Sequence, residues 1–273
     1  MRSPFLLTGV LTSLAAAGCI QQSEDRPDAE AASTSATALV VVERTSGPGD
    51  TVRGDAVIAR FVRVHEGRVD DQALRLAGAA FDLPAVGTCS TAQEAQPALQ
   101  PRSVDLLDVG VLTVDGSSKS TVALPRTMPD PTGVVSGVFY SARSTEIGEH
   151  SERLALHTSG GPDIEGFNVN VAAPRDVADV RVSFVASGLD VAWEAAESDD
   201  ARDVVYVDVL GASSRLVARC TTLDVGHMVV PLGVVIDDGQ LAVHRMHRES
   251  FRAKGIETGE IRFDVSRIVT FRR

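Results

Sequence analysis

The sequence predicts an all-β protein of two β-sandwich modules behind a secretory leader and a flexible tether. Three observations predict it. After residue 37 the apolar residues recur with period two in many short runs, the pattern of half-buried strands. Clusters rich in Gly, Pro, Asp and Ser separate those runs and supply residues that accept positive φ or preset a turn. Helical periodicity is confined to Asp70 to Ala80, where Leu74 and Ala77 share a face, and to a single turn's worth at Pro231 to Ile236.

Residues 1–18 carry one charge at Arg2, an apolar stretch from Phe5 to Leu14 and the small residues Ala15, Ala16, Ala17 and Gly18, which together read as a signal peptide. The Ala16-Ala17-Gly18-Cys19 segment resembles the lipobox of bacterial lipoproteins, although Ala16 stands where that group prefers Leu. The resemblance implies that Cys19 is acylated and becomes the first residue of a membrane-anchored mature chain. Ile20, in place of the Asp that marks inner-membrane retention in such lipoproteins, implies outer-membrane placement in the cell envelope. The alternative is ordinary cleavage after Ala17, leaving Cys19 a free thiol. Residues 19–37, rich in Ser, Ala, Thr, Asp, Glu and Pro, read as a disordered tether.

Composition removes several classes. The 273 residues carry 26 basic against 37 acidic side chains, a formal charge of −11, so the chain lacks the basic footprint of nucleic-acid binding. A mean hydropathy of +0.06 is too high for a wholly disordered chain. After residue 18 no apolar run approaches the ~18 residues that span a bilayer.

Within the body, strands are expected at Leu39 to Glu43, Val57 to Val64, Leu106 to Val114, Ser120 to Leu124, Val138 to Ala142, Leu154 to His157 and Phe167 to Val171. A second set follows at Val180 to Val185, Leu189 to Trp193, Val205 to Val209, Leu216 to Cys220, Leu241 to Arg245 and Glu260 to Val265. Between the sets, Ala172-Ala173-Pro174-Arg175-Asp176 is a small-residue and proline connection. It divides the body into a first module, 38–175, and a second, 176–273.

If Cys19 carries lipid, Cys89 and Cys220 remain as a pair in a compartment that permits disulfides, and a bridge between them would join the two modules. The alternative is two separate buried thiols. Two lone cysteines 131 positions apart lack the spacing of a zinc site.

The order Gly160-Gly161-Pro162-Asp163-Ile164-Glu165-Gly166-Phe167, Pro174, then Ser187-Gly188-Leu189-Asp190-Val191-Ala192-Trp193 resembles that of uncharacterised, myxobacterial-type secreted proteins and lipoproteins. Arg219-Cys220-Thr221, Val229-Val230-Pro231 and Gly255-Ile256-Glu257-Thr258-Gly259 continue the likeness, which covers 38–271. Pro162, Glu165 and the charged stretch Glu197 to Asp203 depart from it. The resemblance implies tandem β-modules and brings no catalytic residue. A Trp strand followed by one with Tyr206 is also similar to the opening half of an immunoglobulin-like or fibronectin type III sandwich, which informs the fold alone.

Chemistry is harder to find. His244 and His247, three apart on an alternating strand, point to opposite faces and so do not chelate together. His65, His150, His157 and His227 are isolated. No zincin, nucleophile-elbow, phosphate-loop or dinucleotide motif occurs. Glu197-Ser198-Asp199-Asp200 with Asp203, and Asp237-Asp238, read as solvated acidic loops, with calcium ligation as the alternative. Trp193, Tyr140 and Tyr206 are expected in the core. No catalytic, cofactor-binding or metal residue is therefore assigned, and no cofactor. The function expected is a lipid-anchored extracytoplasmic protein, not an enzyme, with a binding, adhesion or envelope-structural role. Its partners are the membrane, through the lipid, and a protein or other envelope component. The alternative is a secreted hydrolase whose site lies at the module junction. A deep polar pocket there, holding a His or carboxylate pair in hydrogen-bond reach, would favour the enzyme.

Overall fold

The computed structural model describes residues 36–47, 52–65, 68–91, 103–116, 119–128, 133–144, 153–196, 203–211, 214–231, 233 and 237–273. The leader, Cys19 and nearly all of the tether lie outside the described residues, as do residues 197–202 of the acidic stretch and most of 232–236.

Apart from one six-residue helix, all the regular structure of the described chain is strand. Ten strands form one sheet: β1 (Ala36–Ser46), β2 (Val52–Val64), β3 (Cys89–Thr91), β4 (Val104–Leu106), β7 (Pro125–Thr127), β8 (Val135–Ser144), β13 (Val204–Leu210), β14 (Leu216–Leu223), β16 (Asp238–Ala253) and β17 (Ile256–Arg272). Their spatial order is β3-β14-β13-β16-β17-β1-β2-β4-β8-β7. A four-stranded sheet contains β5 (Leu112–Asp115), β6 (Ser120–Ala123), β9 (Arg153–Thr158) and β10 (Asn168–Ala172), and a three-stranded sheet contains β11 (Arg181–Val185), β12 (Gly188–Ala192) and β15 (His227–Pro231).

Side-chain parity shows how these layers stack. On β17 the odd-numbered residues Ile261 and Phe263 enter a core with Leu112, Leu156 and Val171 of the four-stranded sheet. Phe271, also odd, enters a core with Leu189 and Val191 of the three-stranded sheet and Trp193 just beyond β12. Alternate residues of a strand share a face, so both small sheets cover the same side of the large one. The even-numbered Arg262 and Asp264 project from the other side. There the helix α1 (Asp71–Leu76) packs Ala73 into a third core with Leu39, Val62 and Leu106. Asp70 caps the helix, its side chain accepting from the Ala73 amide at 2.9 Å, and the helix ends at Leu76, short of the expected Ala80.

The expected division into modules 38–175 and 176–273 is corrected. β1 pairs in parallel with β17 from Ala36 to Ser46, so the large sheet takes strands from both sides of residue 175, and 32–273 form one compact unit. Alternation sets which face a strand buries and leaves its partner open. The two sandwiches thus share one layer, and the proline connection at 172–176 links the two small sheets. Fully buried Arg245 clamps that connection, donating from Nη1 to the carbonyls of Arg175 and Asp176 at 3.0 Å each.

The single strand expected over Leu106 to Val114 is two strands. Gly110 sits between them at φ +77°, and a Cβ there would lie 2.2 Å from the Gly160 carbonyl oxygen, so the Gly160-Gly161 loop requires glycine at this contact. Asp108 fixes the break by accepting from the Gly110 amide at 2.7 Å and the Tyr140 hydroxyl at 3.0 Å.

Candidate functional site

The face of the large sheet that carries α1 is crossed by residues 77–88, a strap leading from the helix to β3. At its start the Ala79 amide donates to the Leu74 carbonyl at 2.7 Å, Arg75 Nη2 to Asp82 at 2.7 Å, and Arg60 Nε to the Ala77 carbonyl at 3.3 Å. At its end the Gly87 amide donates to the Thr221 carbonyl at 2.7 Å, and the Thr221 amide to the Thr88 carbonyl at 3.0 Å. Beyond it Cys89 is disulfide-bonded to Cys220. The two cysteines are direct partners in the antiparallel β3–β14 pair, and their Cα atoms are 4.0 Å apart, just below the usual ~4.4–6.8 Å for a bridge. The strap is therefore tied at both ends.

Beneath it lies a cavity of about 160 Å³. Its apolar wall comprises Leu39 and Val41 of β1, Ile58 of β2, Met246 of β16, and Ala79 and Phe81 of the strap. Its polar wall comprises Glu43, Arg60, Arg262 and Asp264. Strands from both ends of the chain build it, because β1 and β17 are neighbours.

A closed polar network borders the cavity. Tyr206 stacks on His244, its direct cross-strand partner, with ring centroids 4.2 Å apart. The Tyr206 hydroxyl donates to Asp264 Oδ2 at 2.5 Å, and His244 Nδ1 lies 2.9 Å from Asp264 Oδ1. Arg219 grips its cross-strand partner Asp208 through two bonds of 2.7 Å, and its guanidinium is sandwiched between the rings of Tyr206 and Phe81, 4.8 and 4.9 Å from their centroids. Burial pushes the Tyr206 hydroxyl well above its ordinary value, and Asp264 adds to that. Burial also works to raise Asp264, but the charge and hydrogen bond of His244, with the Tyr206 hydroxyl, hold it below its ordinary value. Glu43 stands directly opposite Asp264 on β1. Burial first, and then Asp264, raise it, against weaker attraction from Arg143 and His244. Both oxygens of Asp264 and both of Asp208 are thus engaged, whereas Glu43 accepts no hydrogen bond from a described residue.

His244 and His247 do face opposite sides. His247 hydrogen-bonds Asp203 and lies 3.4 Å from Glu249. Asp203 is therefore buried, a correction to its expected place in a solvated loop: the imidazole supplies the partner that a buried carboxylate needs. Asp237 lies 3.6 Å from Arg273. Among the described residues no group of three or more His, Cys, Asp or Glu is placed to hold a metal ion. Tyr140, Trp193 and Tyr206 are all buried, and Trp193 Nε1 donates to Asp224 at 2.7 Å.

Sequence reasoning did not single out Glu43, Arg60, Phe81, Arg262 or Asp264. A signal was present, since Arg262 and Asp264 alternate with Ile261, Phe263 and Val265 and so declare a polar face. What brings that face against Glu43 is the parallel pairing of the first and last strands, which alternation does not encode. In comparison with known proteins, the chain matches no family model and no curated protein.

Proposed function

We propose that the protein is a lipid-anchored binding protein of the cell envelope, held through Cys19 and placed in the outer membrane, and that the cavity under the 77–88 strap is its ligand site. The cavity carries this reading. It combines an apolar wall with a few fixed polar groups, the usual make-up of a small-molecule site, and its roof is tied at both ends. The network beside it is closed, with each Asp264 oxygen already engaged, which suits a rigid recognition surface.

A second reading, a hydrolase, draws on one observation: a His–carboxylate pair, His244 and Asp264, at the rim of a cavity built from both ends of the chain. Against it, Tyr206 occupies the second oxygen of Asp264, and His244 Nε2 faces Asp208 at 3.9 Å rather than a hydroxyl nucleophile.

The test joins anchor and cavity. Cys19→Ala is expected to move the protein from the membrane to the soluble fraction, since stable anchoring takes two or more acyl chains. A low-molecular-weight extract of the producing cells is expected to raise the melting temperature of the parent but not of Val41→Trp, which fills the cavity. Equal shifts in both proteins, or no shift in either, would remove the cavity from the account.

A further inference from the structure

Three of the cavity's four charged groups lie in two adjacent rows across the sheet, and the fourth, Arg60, lies one row further on, opposite Leu39. In one row Asp264 faces Glu43, with Arg143 two strands further on, opposite Ala56. In the next, Arg262 of β17 faces Arg248 of β16 on one side and Val41 on the other. Each row carries an unresolved fault.

In the arginine row, Glu260 binds Nε of Arg262, but Nη1 of Arg262 is buried without an acceptor. Arg248 Nε is likewise buried and unpartnered. Like charges directly opposite repel, and a buried donor left unmade costs free energy. Of the two, Arg262 alone lines the cavity, so an anion that enters answers the charge of Arg262 and screens its repulsion with Arg248. Arg60, the other guanidinium of the cavity, is already engaged through two of its nitrogens: Nε donates to the Ala77 carbonyl, Nη1 to those of Ala59 and Tyr140, and its carbon atom lies 4.9 Å from the centroid of the Phe139 ring.

In the carboxylate row the fault has the opposite sign. Asp264 is fully engaged by Tyr206 and His244, but Glu43 sits half-buried beside it with no donor. A cation at Glu43 relieves that repulsion.

The rows are two residues apart along the strands, about 7 Å. Glu43 and Arg262 also sit on neighbouring strands about 4.8 Å apart, so their positions are about 8 Å apart on the diagonal, and charge-assisted hydrogen bonds of ~2.8 Å at each end suit a molecule whose cation and anion are close together. The rest of the cavity is apolar, with Val41, Ile58, Phe81 and Met246 around it. Its volume is of the order of an engineered ~150 Å³ apolar cavity that takes up benzene.

We propose that the cavity binds a free α-amino acid with an apolar side chain, the ammonium group at Glu43, the carboxylate at the Arg262 guanidinium, and the side chain against Val41, Ile58, Phe81 and Met246. The proposal rests on the reading of the chain as a small-molecule-binding protein. A charged side chain is refused because the apolar wall offers it no partner.

Calorimetric titration of the full mature chain in detergent tests it, with L-leucine, L-methionine and L-phenylalanine as probes. Isoamylamine, which lacks the carboxylate, 4-methylpentanoate, which lacks the amine, and L-aspartate are the controls. At least one apolar amino acid is expected to bind, and each control to bind about tenfold more weakly or worse. Arg262→Gln is expected to reduce leucine to the affinity of isoamylamine while leaving isoamylamine unchanged. If that variant fails to fold, the comparison on the parent decides alone. Controls that match the amino acids would overturn the proposal and leave the cavity as a site of another specificity. The same holds if no probe binds while the cell extract still stabilises the parent but not Val41→Trp. If neither the probes nor the extract has an effect, the binding reading falls with it.

Discussion

Glu43 and Asp264 face each other across the parallel β1–β17 pair, and their surroundings drive their proton affinities apart: burial and the facing carboxylate raise Glu43, while His244 and Tyr206 hold Asp264 down against its own burial. The first and last strands of the body thus meet at a carboxylate pair that edges the cavity. One member is fixed by protein donors, and the other accepts from no described residue.

That asymmetry predicts a pH signature. The folded state binds the Glu43 proton more tightly than the unfolded chain does. The contribution is complete below its ordinary value of 4.5 and is lost as pH rises through the raised folded value. Glu43→Gln does not ionise and escapes the loss. Its thermal stability relative to the parent is expected to climb between pH 4 and pH 8, and a flat difference across that range would refute the assignment.

His247 gives a second titration. Its hydrogen bond to Asp203 leads the causes that raise it above 6.5, outweighing burial, with Glu249 assisting. Its contribution is full below 6.5 and fades as pH climbs through the raised value. His247→Gln should therefore cost more stability at pH 5.5 than at pH 9. An NMR titration placing His247 at or below 6.5 would contradict the geometry.

The disulfide ties down the far end of the strap. Replacing Cys89 and Cys220 with Ser is expected to cost on the order of 2–5 kcal/mol in denaturant unfolding. The structural consequence is local. Amide exchange should accelerate first in 78–88, while β16 and β17 stay protected. Uniform acceleration throughout the large sheet would mean that the bridge does not hold the strap in particular.

Arg245 and Asp224 form a fully buried pair at 2.7 Å, with the remaining guanidinium donors on the carbonyls of Arg175, Asp176 and Glu194. Arg245→Met removes the cation paired with the buried Asp224 carboxylate, leaving it the Trp193 Nε1 and Ala196 amide donors, and frees the 172–176 connection. The expected cost is about 3–5 kcal/mol in urea unfolding, against little for the exposed pair of Arg68 and Glu257.

How much of this was legible from the residues follows from what period two encodes. Alternation located β2, β9 and β13, and it placed Trp193 in a core, because burial of one face leaves a local trace. It missed β3 and β7, three residues each and too short for a period to register, and β15, whose Met228-Val229-Val230 run does not alternate. It also ended β17 at Val265, although the strand runs on to Arg272. The partner of β1 lies more than 200 residues away, so the division at 175 followed the proline connection and overlooked a pairing that no local pattern signals. The cavity was illegible for the same reason: Glu43, Phe81 and Asp264 belong to three distant segments. The cysteine pair was accessible because counting removes alternatives without any geometry.

Native mass spectrometry of the protein extracted in detergent from its own envelope tests the account most directly. The predicted result is a mature chain beginning at acylated Cys19 that carries a small non-covalent adduct, with the adduct lost in Val41→Trp. A chain without acyl groups and without any adduct, or an adduct retained by Val41→Trp, would contradict it.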